Sequence, residues 1–301
     1  MSVDRSFFVI VNPAAGRGRA AKIAEDYASR LRRLGRFELA TTTRPGQELD
    51  LADRAIAEGF SAILAVGGDG TWGKVVDRIV RSGRKDVTLG LLPAGTGNDF
   101  AKSLGIRAEN IDQVIRGIAE GRRRTIDVGR AGSRYFLNVV GFGFDIAVID
   151  DAARLPVLHG DLLYRFCALR QLFKYSGVPI EVSDDRGTRK RRDHLMLTVS
   201  NGNYFGGSFH IAPAARLDDG RLDAVSIYDA GPIGRAALFS RVSKGTHHGH
   251  EKVDIRQAPR FTIRFDTPVR YEIDGDVYDL DGTTLEIEAV ARALDVFVPA
   301  D

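Results

Sequence analysis

Two short apolar runs, each followed at once by glycines, constrain the fold of this chain more than any other feature. The first spans residues 62–71, with the sequence AILAVGGDGT, and the second spans residues 89–99, with the sequence LGLLPAGTGND. A continuous apolar run of this length is typical of a strand buried on both faces, as in a parallel sheet. In open α/β sheets, ligands bind where such strands end. The two runs therefore predict a parallel sheet with a ligand site at its carboxyl edge.

The residues that end each run suit a bound phosphate group. Glycine lets the backbone approach a ligand closely and adopt positive φ without steric cost. Amide groups at the start of the following helix then face an anion, with support from the helix dipole. Asp69 and Asp99 supply carboxylates for a metal ion. The two corners therefore predict a nucleotide phosphate site, and they match neither the GxxxxGKS/T nor the GxGxxG pattern.

Strand and helix patterns alternate along the first part of the chain. Strand-like runs at 7–11 and 37–41 precede the two organising runs, and a helical apolar pattern follows each strand. This alternation predicts a parallel, right-handed, doubly wound α/β sheet. The loop after the first strand, residues 12–18, brings two further glycines to a strand end.

Near Gly121 the pattern changes to short strand-like segments separated by turn clusters. It predicts an antiparallel β-sandwich, interrupted by one helical segment at about 160–175. The predicted strands are 126–129, 135–140, 180–182, 195–200, 222–227, 261–265, 270–273 and 285–287. We expect an α/β domain over residues 1–128 and a sandwich domain over 129–289. The final run, 293–298, fits either domain, and we expect residues 290–301 to complete the first.

Composition narrows the class of partner. The formal net charge is only +3, so nothing requires a nucleic-acid partner. Basic clusters at 122–124 and 189–192 are expected to be solvated loop ends, with phosphate steering or membrane contact as the alternative. The single Cys167 excludes an intramolecular disulfide and fits a reducing compartment. Because no apolar run is long enough to cross a bilayer, we expect a cytoplasmic protein without a transmembrane segment, whose membrane contact is peripheral. A homodimer is compatible with the sequence.

The motifs, taken in order, make the chain resemble the diacylglycerol kinase and sphingosine kinase catalytic-domain family, in its bacterial lipid-kinase branch. The motifs are NPAAG at 12–16, GGDGT at 67–71, PAGTGNDF at 93–100, FLNVVGFGFD at 136–145, APAARLDDGRLD at 212–223 and IDGD at 273–276. The GGDGT run alone is only moderately specific, since NAD kinases carry a similar run. The complete set in this order is highly specific, and it covers essentially the whole chain.

The resemblance implies an ATP- and Mg²⁺-dependent kinase that phosphorylates a hydroxyl group of a lipid at the membrane surface, with diacylglycerol as the leading acceptor. The residues expected to contact ATP are Asn12, Pro13, Ala14, Ala15, Gly16, Arg17, Lys22, Thr42, Gly67, Gly68, Asp69, Gly70, Thr71, Lys74, Thr96, Asn98 and Asp99. Among these, Arg17 and Lys22 stand where the family has basic residues near the phosphates. The implied Mg²⁺ site in the second domain is Asp219 with the main-chain carbonyl groups of Arg216 and Arg221.

Three carboxylates are expected to serve catalysis. Asp276 stands where the family usually has a Glu proposed as the proton acceptor, and Asp274 shares its face of an extended chain. A carboxylate near the acceptor hydroxyl takes its proton as the new bond forms; which of the two does so stays open, and we expect Asp276. Asp69 is expected to organise metal and phosphates. The structural alternatives are hairpin turns at 274–276 and 218–220, and a helix cap at Asp69.

The chain departs from the family pattern after Thr71, where Trp72-Gly73-Lys74 replaces the usual apolar-Asn-Glu. A cation in the first turn of a helix is disfavoured by the helix dipole. We expect Lys74 either to contact phosphate or to extend into water. Two other functions stay open: an NAD kinase, and a nucleotide-binding regulatory protein that has lost catalysis. The acceptor also stays open among diacylglycerol, monoacylglycerol, phosphatidylglycerol, a sphingoid base and a non-lipid polyol.

The predicted helix at 161–174 is amphipathic in an unusual way. Its apolar side chains are Leu162, Leu163, Phe166, Leu169 and Phe173, and its basic ones are Arg165, Arg170 and Lys174. The simpler interpretation is that it packs on the sandwich. The alternative is that it forms one wall of an acyl-chain cleft near an anionic membrane surface.

Overall fold

The computed structural model describes residues 5–154, 161–188, 191–207 and 209–300, with the backbone alone described at 153, 161–165 and 188. The expectations for Leu162, Leu163 and Arg165 concern side chains outside this description, as do those for residues 189 and 190 of the second basic cluster. No helix within the described ranges is both long and apolar enough to span a bilayer.

The first part of the chain is a parallel sheet covered by helices. Its strands are β1 (Ser6–Val11), β2 (Arg36–Thr41), β3 (Ala62–Gly67) and β4 (Thr88–Pro93), in the order β2-β1-β3-β4. Its helices are α1 (Ala15–Leu31), α2 (Gln47–Ala57), α3 (Asp69–Arg81), α4 (Asp99–Ser103) and α5 (Ile111–Glu120). Every residue of β1, β3 and β4 is buried, as the continuous apolar runs predict. Helix α1 packs with α5 and α2 with α3, so the predicted doubly wound α/β class is confirmed.

The second part is an antiparallel β structure, also as predicted. Its strands are β5 (Arg123–Ala131), β6 (Arg134–Phe136), β7 (Val139–Gly143), β8 (Val178–Asp184), β9 (Gly187–Thr188), β10 (Arg192–Ser200), β11 (Leu222–Tyr228), β12 (Val253–Ala258), β13 (Arg260–Phe265), β14 (Arg270–Ile273), β15 (Asp276–Asp279) and β16 (Thr284–Phe297). Its helices are α6 (Phe144–Ala153), α7 (Asp161–Lys174) and α8 (Pro232–Ser243). Each of its strand pairings is antiparallel, except that β16 also pairs with β4 in parallel.

Two local expectations for this part were wrong. The predicted single strand at 135–140 is two strands, β6 and β7, because the amide groups between them donate to the side chain of Asp274 rather than to a neighbouring strand. The predicted single helical segment is accompanied by α6 and α8. Helix α6 follows β7 without a polar break, and α8 begins with a proline in its first turn, a start signal that local hydrophobicity does not reveal.

Strand β16 joins the two parts. Its first half pairs with β13, and its end pairs in parallel with β4, while β5 runs beside both halves. The strand bends between Val290 and Leu294, where Arg292 has a φ of 50° and donates its amide to Asp127 Oδ1 at 2.7 Å. The run at 293–298 thus lies beside the parallel strands, while its own strand begins among the antiparallel ones, so the two parts share one continuous sheet.

Candidate active site

Two glycine corners and the first loop meet at the carboxyl edge of the parallel strands. Asn12 Nδ2 donates to Thr71 Oγ1 at 3.0 Å and to Glu48 Oε1 at 3.1 Å, so it connects the first loop to the start of α3. Gly16 has a φ of 58°, and a Cβ atom built there would lie 1.9 Å from the carbonyl oxygen of Ala94. A side chain at Gly16 would therefore push the first loop away from the second corner.

The basic residues near this edge differ in their surroundings. Arg17 is exposed with a φ of 59°, and Lys22 is exposed on α1. Arg19, for which no local pattern indicates a role, donates to the carbonyl oxygens of Ala94 at 3.3 Å and Gly95 at 2.5 Å. Its position depends on the three consecutive left-handed residues before it, which a helical pattern does not reveal.

Three further residues expected to contact ATP differ in how exposed they are. Thr42 is buried, and its amide donates to the carbonyl oxygen of Val11 at 2.9 Å, which places it at the end of β2. Thr96 is exposed between β4 and α4, and Asn98 has a left-handed φ of 51°. The Oδ1 atom of Asn98 is buried without a hydrogen-bond partner among the described residues. The second corner thus exposes Thr96, while the unsatisfied oxygen of Asn98 is packed against the glycines of the two corners.

Asp69 caps a helix, but not the one that it begins. Its carboxylate accepts hydrogen bonds from the amides of Asp99 at 3.0 Å and Phe100 at 2.9 Å, at the start of α4. Burial and the charge of Asp99 raise the pKa of Asp69, the two amides oppose the shift, and the net value is about 6. The helix-cap alternative and a role in the cleft therefore coexist at this residue.

Asp99 links the two parts of the chain. It is buried, and its carboxylate accepts hydrogen bonds from Lys102 Nζ and from the amide of Gly207, both at 2.7 Å. Lys102 Nζ also donates to the carbonyl oxygen of Gly207 at 2.7 Å. The local sequence carries no signal for Lys102, because its partner Gly207 is more than a hundred residues away.

Asp274 is a buried carboxylate held by backbone amides. Its oxygens accept hydrogen bonds from Leu137 at 2.7 Å and from Asn138 and Val139 at 2.9 Å. Its φ is 49°, in a region that non-glycine residues rarely adopt. Burial raises the pKa of Asp274 to about 7, although the three amides oppose the shift, and the charge of Asp69 adds to it.

Asp276 has a different environment, because it forms an ion pair with Lys74 of α3. The Asp276 side chain is 38% exposed and that of Lys74 is 23% exposed. The ammonium group of Lys74 is therefore paired with a carboxylate and does not stand alone in water. The departure from the family pattern has a structural basis at each position. Trp72 is fully buried and donates from Nε1 to the carbonyl oxygen of Ala65 at 3.0 Å, while Gly73 leaves space for Asp274.

A cavity of about 380 Å³ lies between the two parts of the chain, and Thr96 and Asn138 are among the residues that line it. Asp69, Asp99 and Asp274 all contribute to its wall. A second cavity, of about 490 Å³, shares Thr96 with the first and is lined by Arg19, Lys102 and Arg107. We call them the acidic cavity and the cationic cavity. Their adjacency suits a polyphosphate whose terminal group reaches a carboxylate.

A third cavity adjoins the acidic cavity and shares no lining residue with the cationic cavity. It measures about 690 Å³ and shares Phe205, Gly206 and Glu272 with the acidic cavity. The rest of its wall is mostly apolar, from Phe144, Val148, Ile149, Ala168, Leu169, Leu172, Met196, Phe209 and Phe239. We call it the apolar cavity. Leu169 brings α7 into its wall, while Cys167 of the same helix is buried in the core of the second part.

In the loop predicted to hold Mg²⁺, the proposed ligand atoms are all oxygens. Asp219 Oδ2 accepts from Gln257 Nε2 at 3.2 Å and its Oδ1 accepts from the amide of Arg221 at 3.1 Å, while Arg216 and Arg221 are exposed. Burial raises the pKa of the nearby Asp223 to about 6. No cluster of three or more His, Cys, Asp or Glu side chains suited to a metal occurs in the described ranges. A carboxylate with main-chain carbonyl oxygens fits a hard cation such as Mg²⁺.

Comparison with known proteins agrees with both parts of the chain. Residues 6–131 match the family model described as the diacylglycerol kinase catalytic domain. Residues 138–298 match the one described as the YegS C-terminal NAD kinase beta sandwich-like domain. A diacylglycerol kinase of Bacillus subtilis (strain 168) is 29% identical over 275 residues, which cover 89% of this chain and 88% of that protein.

Two solved structures share the fold. The crystal structure of a diacylglycerol kinase from Bacillus anthracis str. Sterne has a TM-score of 0.77 at 21% identity, and the match covers 99% of this chain and 98% of that one. Yeast NADH kinase complexed with NADH has a TM-score of 0.53 at 10% identity, over 100% of this chain and 84% of that one. At these identities the likeness concerns the fold alone.

Proposed function

We propose that the chain transfers a phosphoryl group from ATP to a lipid, because it belongs to the family that joins a diacylglycerol kinase catalytic domain to a YegS C-terminal NAD kinase beta sandwich-like domain. As a member of this family it is a phosphotransferase that acts on a hydroxyl group. Diacylglycerol is the leading acceptor, as the names of its relatives suggest. The observation that carries the proposal is that the cationic, acidic and apolar cavities adjoin in that order. The cationic cavity suits a polyphosphate, the acidic cavity supplies a proton acceptor, and the apolar cavity suits an acyl chain.

The glycine corners are the part of this site that would bind ATP. Phosphoryl transfer depends on positioning and charge neutralisation more than on covalent help from the protein. Arg19 and Lys102 supply positive charge beside the corners, and Thr96 lies where the cationic and acidic cavities meet. Mg²⁺, when bound, neutralises part of the phosphate charge, and Asp219 with the carbonyl groups of Arg216 and Arg221 would hold one ion.

Asp274 is the better candidate for the general base, which changes the preference drawn from the motif. A base works best when its pKa lies near the working pH, and burial raises the pKa of Asp274 to about 7. Asp274 also lines the acidic cavity, which Asp276 does not. Asp276 instead forms its ion pair with Lys74. In this assignment Asp274 takes the proton of the acceptor hydroxyl, and Asp276 fixes the start of α3.

The acceptor would be met at a membrane surface, with α7 as the contacting element. Phe166, Leu169 and Phe173 are spaced along this helix and are 48%, 57% and 69% exposed. Large apolar side chains with this exposure favour the interface of a bilayer. Leu169 also lines the apolar cavity, so contact of α7 with lipid would bring an acyl chain to its opening. In this proposal the protein is cytoplasmic and associates with the membrane peripherally. The homodimer stays a prediction, which light scattering can test.

One experiment tests the function. The protein is incubated with ATP labelled in the γ-phosphate and with a panel of lipids in mixed micelles, with and without Mg²⁺, and a parallel reaction offers NAD⁺. We expect label in lipid, only with Mg²⁺, and none in NAD⁺. Label in NAD⁺ alone would assign an NAD kinase, and ATP binding without any labelled product would assign a regulatory protein.

A further inference from the structure

A fourth cavity lies where α3 meets the second part of the chain, and the proposed phosphoryl transfer does not use it. It measures about 280 Å³, and its wall includes one side of α3, strand β6 and the β14–β15 hairpin. We call it the seam cavity. Asp274 lines both this cavity and the acidic cavity, so the two meet at the hairpin. No described residue is common to the seam cavity and the cationic or apolar cavity.

The side of α3 that lines the seam cavity is charged, although its spacing is that of a packed helix face. Its members recur at steps of three or four residues; they are Gly70, Gly73, Lys74, Asp77, Arg78 and Arg81. The apolar residues of the same helix, Trp72, Val75, Val76 and Ile79, are buried. Toward the second part, α3 therefore borders a space lined by charge.

Arg134 brings to this space a positive charge that no carboxylate offsets among the described residues. The other cations of the wall are paired: Lys74 with Asp276, Arg81 with Asp77 at 2.7 Å, and Arg78 with Asp53 at 2.6 Å. The remaining carboxyl group of the wall, that of Asp274, is held by three backbone amides. Arg134 is exposed and forms no ion pair within the described ranges. The seam cavity thus has an excess of positive charge, which favours an anion.

Two of the guanidinium groups in the wall contact tyrosine rings of the second part. That of Arg134 lies 4.1 Å from the centre of the Tyr278 ring, and that of Arg81 lies 5.5 Å from the centre of the Tyr135 ring. Burial raises the pKa of Tyr271, and the nearby charge of Arg134 opposes this shift. A guanidinium group that contacts a ring face can still donate from its edge, in the fork geometry that suits phosphate or carboxylate.

The surroundings of the seam cavity indicate a small, water-soluble anion. The large apolar side chains that are exposed among the described residues are Phe166, Leu169, Phe173 and Ile233. None of them lines this cavity, so a lipid held at α7 does not reach it. The volume of about 280 Å³ is also less than half of the 690 Å³ of the apolar cavity.

We propose that the seam cavity binds inorganic phosphate or a small phosphate ester as an effector, at a site separate from phosphoryl transfer. Arg134 holds the phosphate group from the second part, and Arg81 and Lys74 hold it from the first. An ammonium group shared with phosphate binds Asp276 less tightly, so the ligand weakens the ion pair between α3 and the β14–β15 hairpin. Because this hairpin carries Asp274, the ligand slows transfer without displacing ATP. This effect on the rate rests on the proposed function, whereas binding does not.

Steady-state kinetics with inorganic phosphate test the effect. Phosphate is titrated at several fixed concentrations of MgATP, with chloride keeping the ionic strength constant. We expect kcat to fall between about twofold and tenfold at saturating phosphate, as for the loss of an exposed ion pair, with little change in the KM for ATP. Inhibition that MgATP relieves would place the phosphate in the nucleotide site and overturn the proposal.

Variants connect the inhibition to the cavity. Arg134→Gln should raise the phosphate concentration for half-inhibition by about tenfold or more, because a charge-assisted hydrogen bond is lost. Arg81→Gln should raise it from the other side of the cavity. The matched control is Arg130→Gln: Arg130 pairs with Glu288 and lies outside the wall. Each variant is compared with its own rate without phosphate. Equal half-inhibition in wild type and both cavity variants would overturn the site.

A melting experiment tests binding without any lipid. With the nucleotide site filled by a non-hydrolysable ATP analogue, phosphate should raise the melting temperature of wild type and Arg130→Gln, since a ligand stabilises the state that binds it. The rise should be absent in Arg134→Gln. An equal rise in all three proteins, or none in wild type, would overturn the inference. Failure to label any lipid would instead overturn the proposed function and leave this result standing.

Two further ligands distinguish a free phosphate ester from a lipid head group. Glycerol 3-phosphate should inhibit like inorganic phosphate and should lose this effect in Arg134→Gln. Phosphatidylglycerol in the mixed micelles should act equally on wild type and Arg134→Gln. A response to phosphatidylglycerol alone that is lost in Arg134→Gln would assign the site to a membrane head group and overturn the soluble effector.

Discussion

The carboxyl group of Asp274 lies directly against Gly73, 201 positions earlier in the chain: a Cβ atom built on Gly73 would lie 2.8 Å from Asp274 Oδ2. Gly73 stands in the first turns of α3, where alanine would ordinarily be favoured over glycine. The contact therefore explains why a glycine occupies this position. It also fixes the distance between the first glycine corner and the candidate base.

Gly73→Ala is expected to displace Asp274 and to lower kcat by about tenfold or more, because misplacement of a reacting group by a fraction of an ångström to an ångström is costly. Thermal unfolding and steady-state kinetics measure the two effects separately. The control is Gly231→Ala, at which an added Cβ meets no atom within 4 Å. An active Gly73→Ala protein with a higher melting temperature would contradict the contact.

Asp274→Asn should lower kcat by about a hundredfold or more with little change in the KM for ATP, since general base catalysis typically contributes 10²–10⁴-fold. Asp276→Asn should lose about tenfold or less, because it removes an ion-pair partner rather than the base. Steady-state kinetics on the two folded proteins decide between them. A larger loss in Asp276→Asn would restore the preference drawn from the motif.

The pH dependence of kcat/KM should report these carboxylates. Asp274 acts unprotonated and burial raises its pKa to about 7, so activity should fall with a slope of one as the pH drops below that value. Asp69, whose pKa burial raises to about 6, should steepen the slope toward two below pH 6 if it is needed ionised. In Asp274→Asn the step near pH 7 should be absent from the residual activity. A profile that is flat between pH 8 and pH 5.5 would exclude both roles.

The raised pKa of Asp274 also makes the stability of the fold depend on pH, in a direction that can be predicted. The pKa of Asp274 is higher in the folded chain than its ordinary value of 3.8, so the folded state binds the proton more tightly. The stabilisation of the folded state by this tighter proton binding is fully present below the pKa of Asp274 in the unfolded chain. It is lost as the pH rises through about 7. The free energy of unfolding of wild type relative to Asp274→Asn should therefore fall from pH 4 to pH 7.5, as urea titrations at both pH values would measure.

Lys74→Ala should change the KM for ATP by less than about threefold, because the ammonium group is already paired with Asp276 and exposed pairs contribute at most about 1 kcal/mol. Lys74→Glu should be worse than Lys74→Ala, since it places two carboxylates together. Both effects are read from ATP titrations of activity. A rise of tenfold or more in Lys74→Ala would instead assign this residue to the phosphates.

Asp219→Ala should reduce the dependence of activity on Mg²⁺ beyond the concentration that saturates ATP, because it removes the carboxylate donor of the proposed site. Asp218→Ala is the matched control: Asp218 pairs with Arg124 at 2.9 Å and is not among the proposed ligands. Activity is titrated with Mg²⁺ at fixed MgATP. Superimposable curves for wild type and Asp219→Ala would remove the site.

Local sequence was sufficient where a segment's own pattern determines its structure. The runs that form β3 and β4 are apolar throughout, and burial on both faces needs no information from elsewhere. The glycines that follow them marked the edge where the cleft lies, and the change of pattern near Gly121 marked the start of the antiparallel part. Each of these depends on contacts within a few residues, which hydrophobic period and backbone freedom describe.

Tertiary structure decided what depends on distant partners. Local chemistry does not distinguish Asp274 from Asp276, and the amides of Leu137 to Val139 and the ammonium group of Lys74 make them different. The break between β6 and β7 has the same cause. Arg81 and Arg134 line one cavity because α3 packs against β6. Hydrogen bonds and charge interactions act over a few ångströms in space, whatever the separation along the chain, so the sequence could supply these groups but could not state which of them meet.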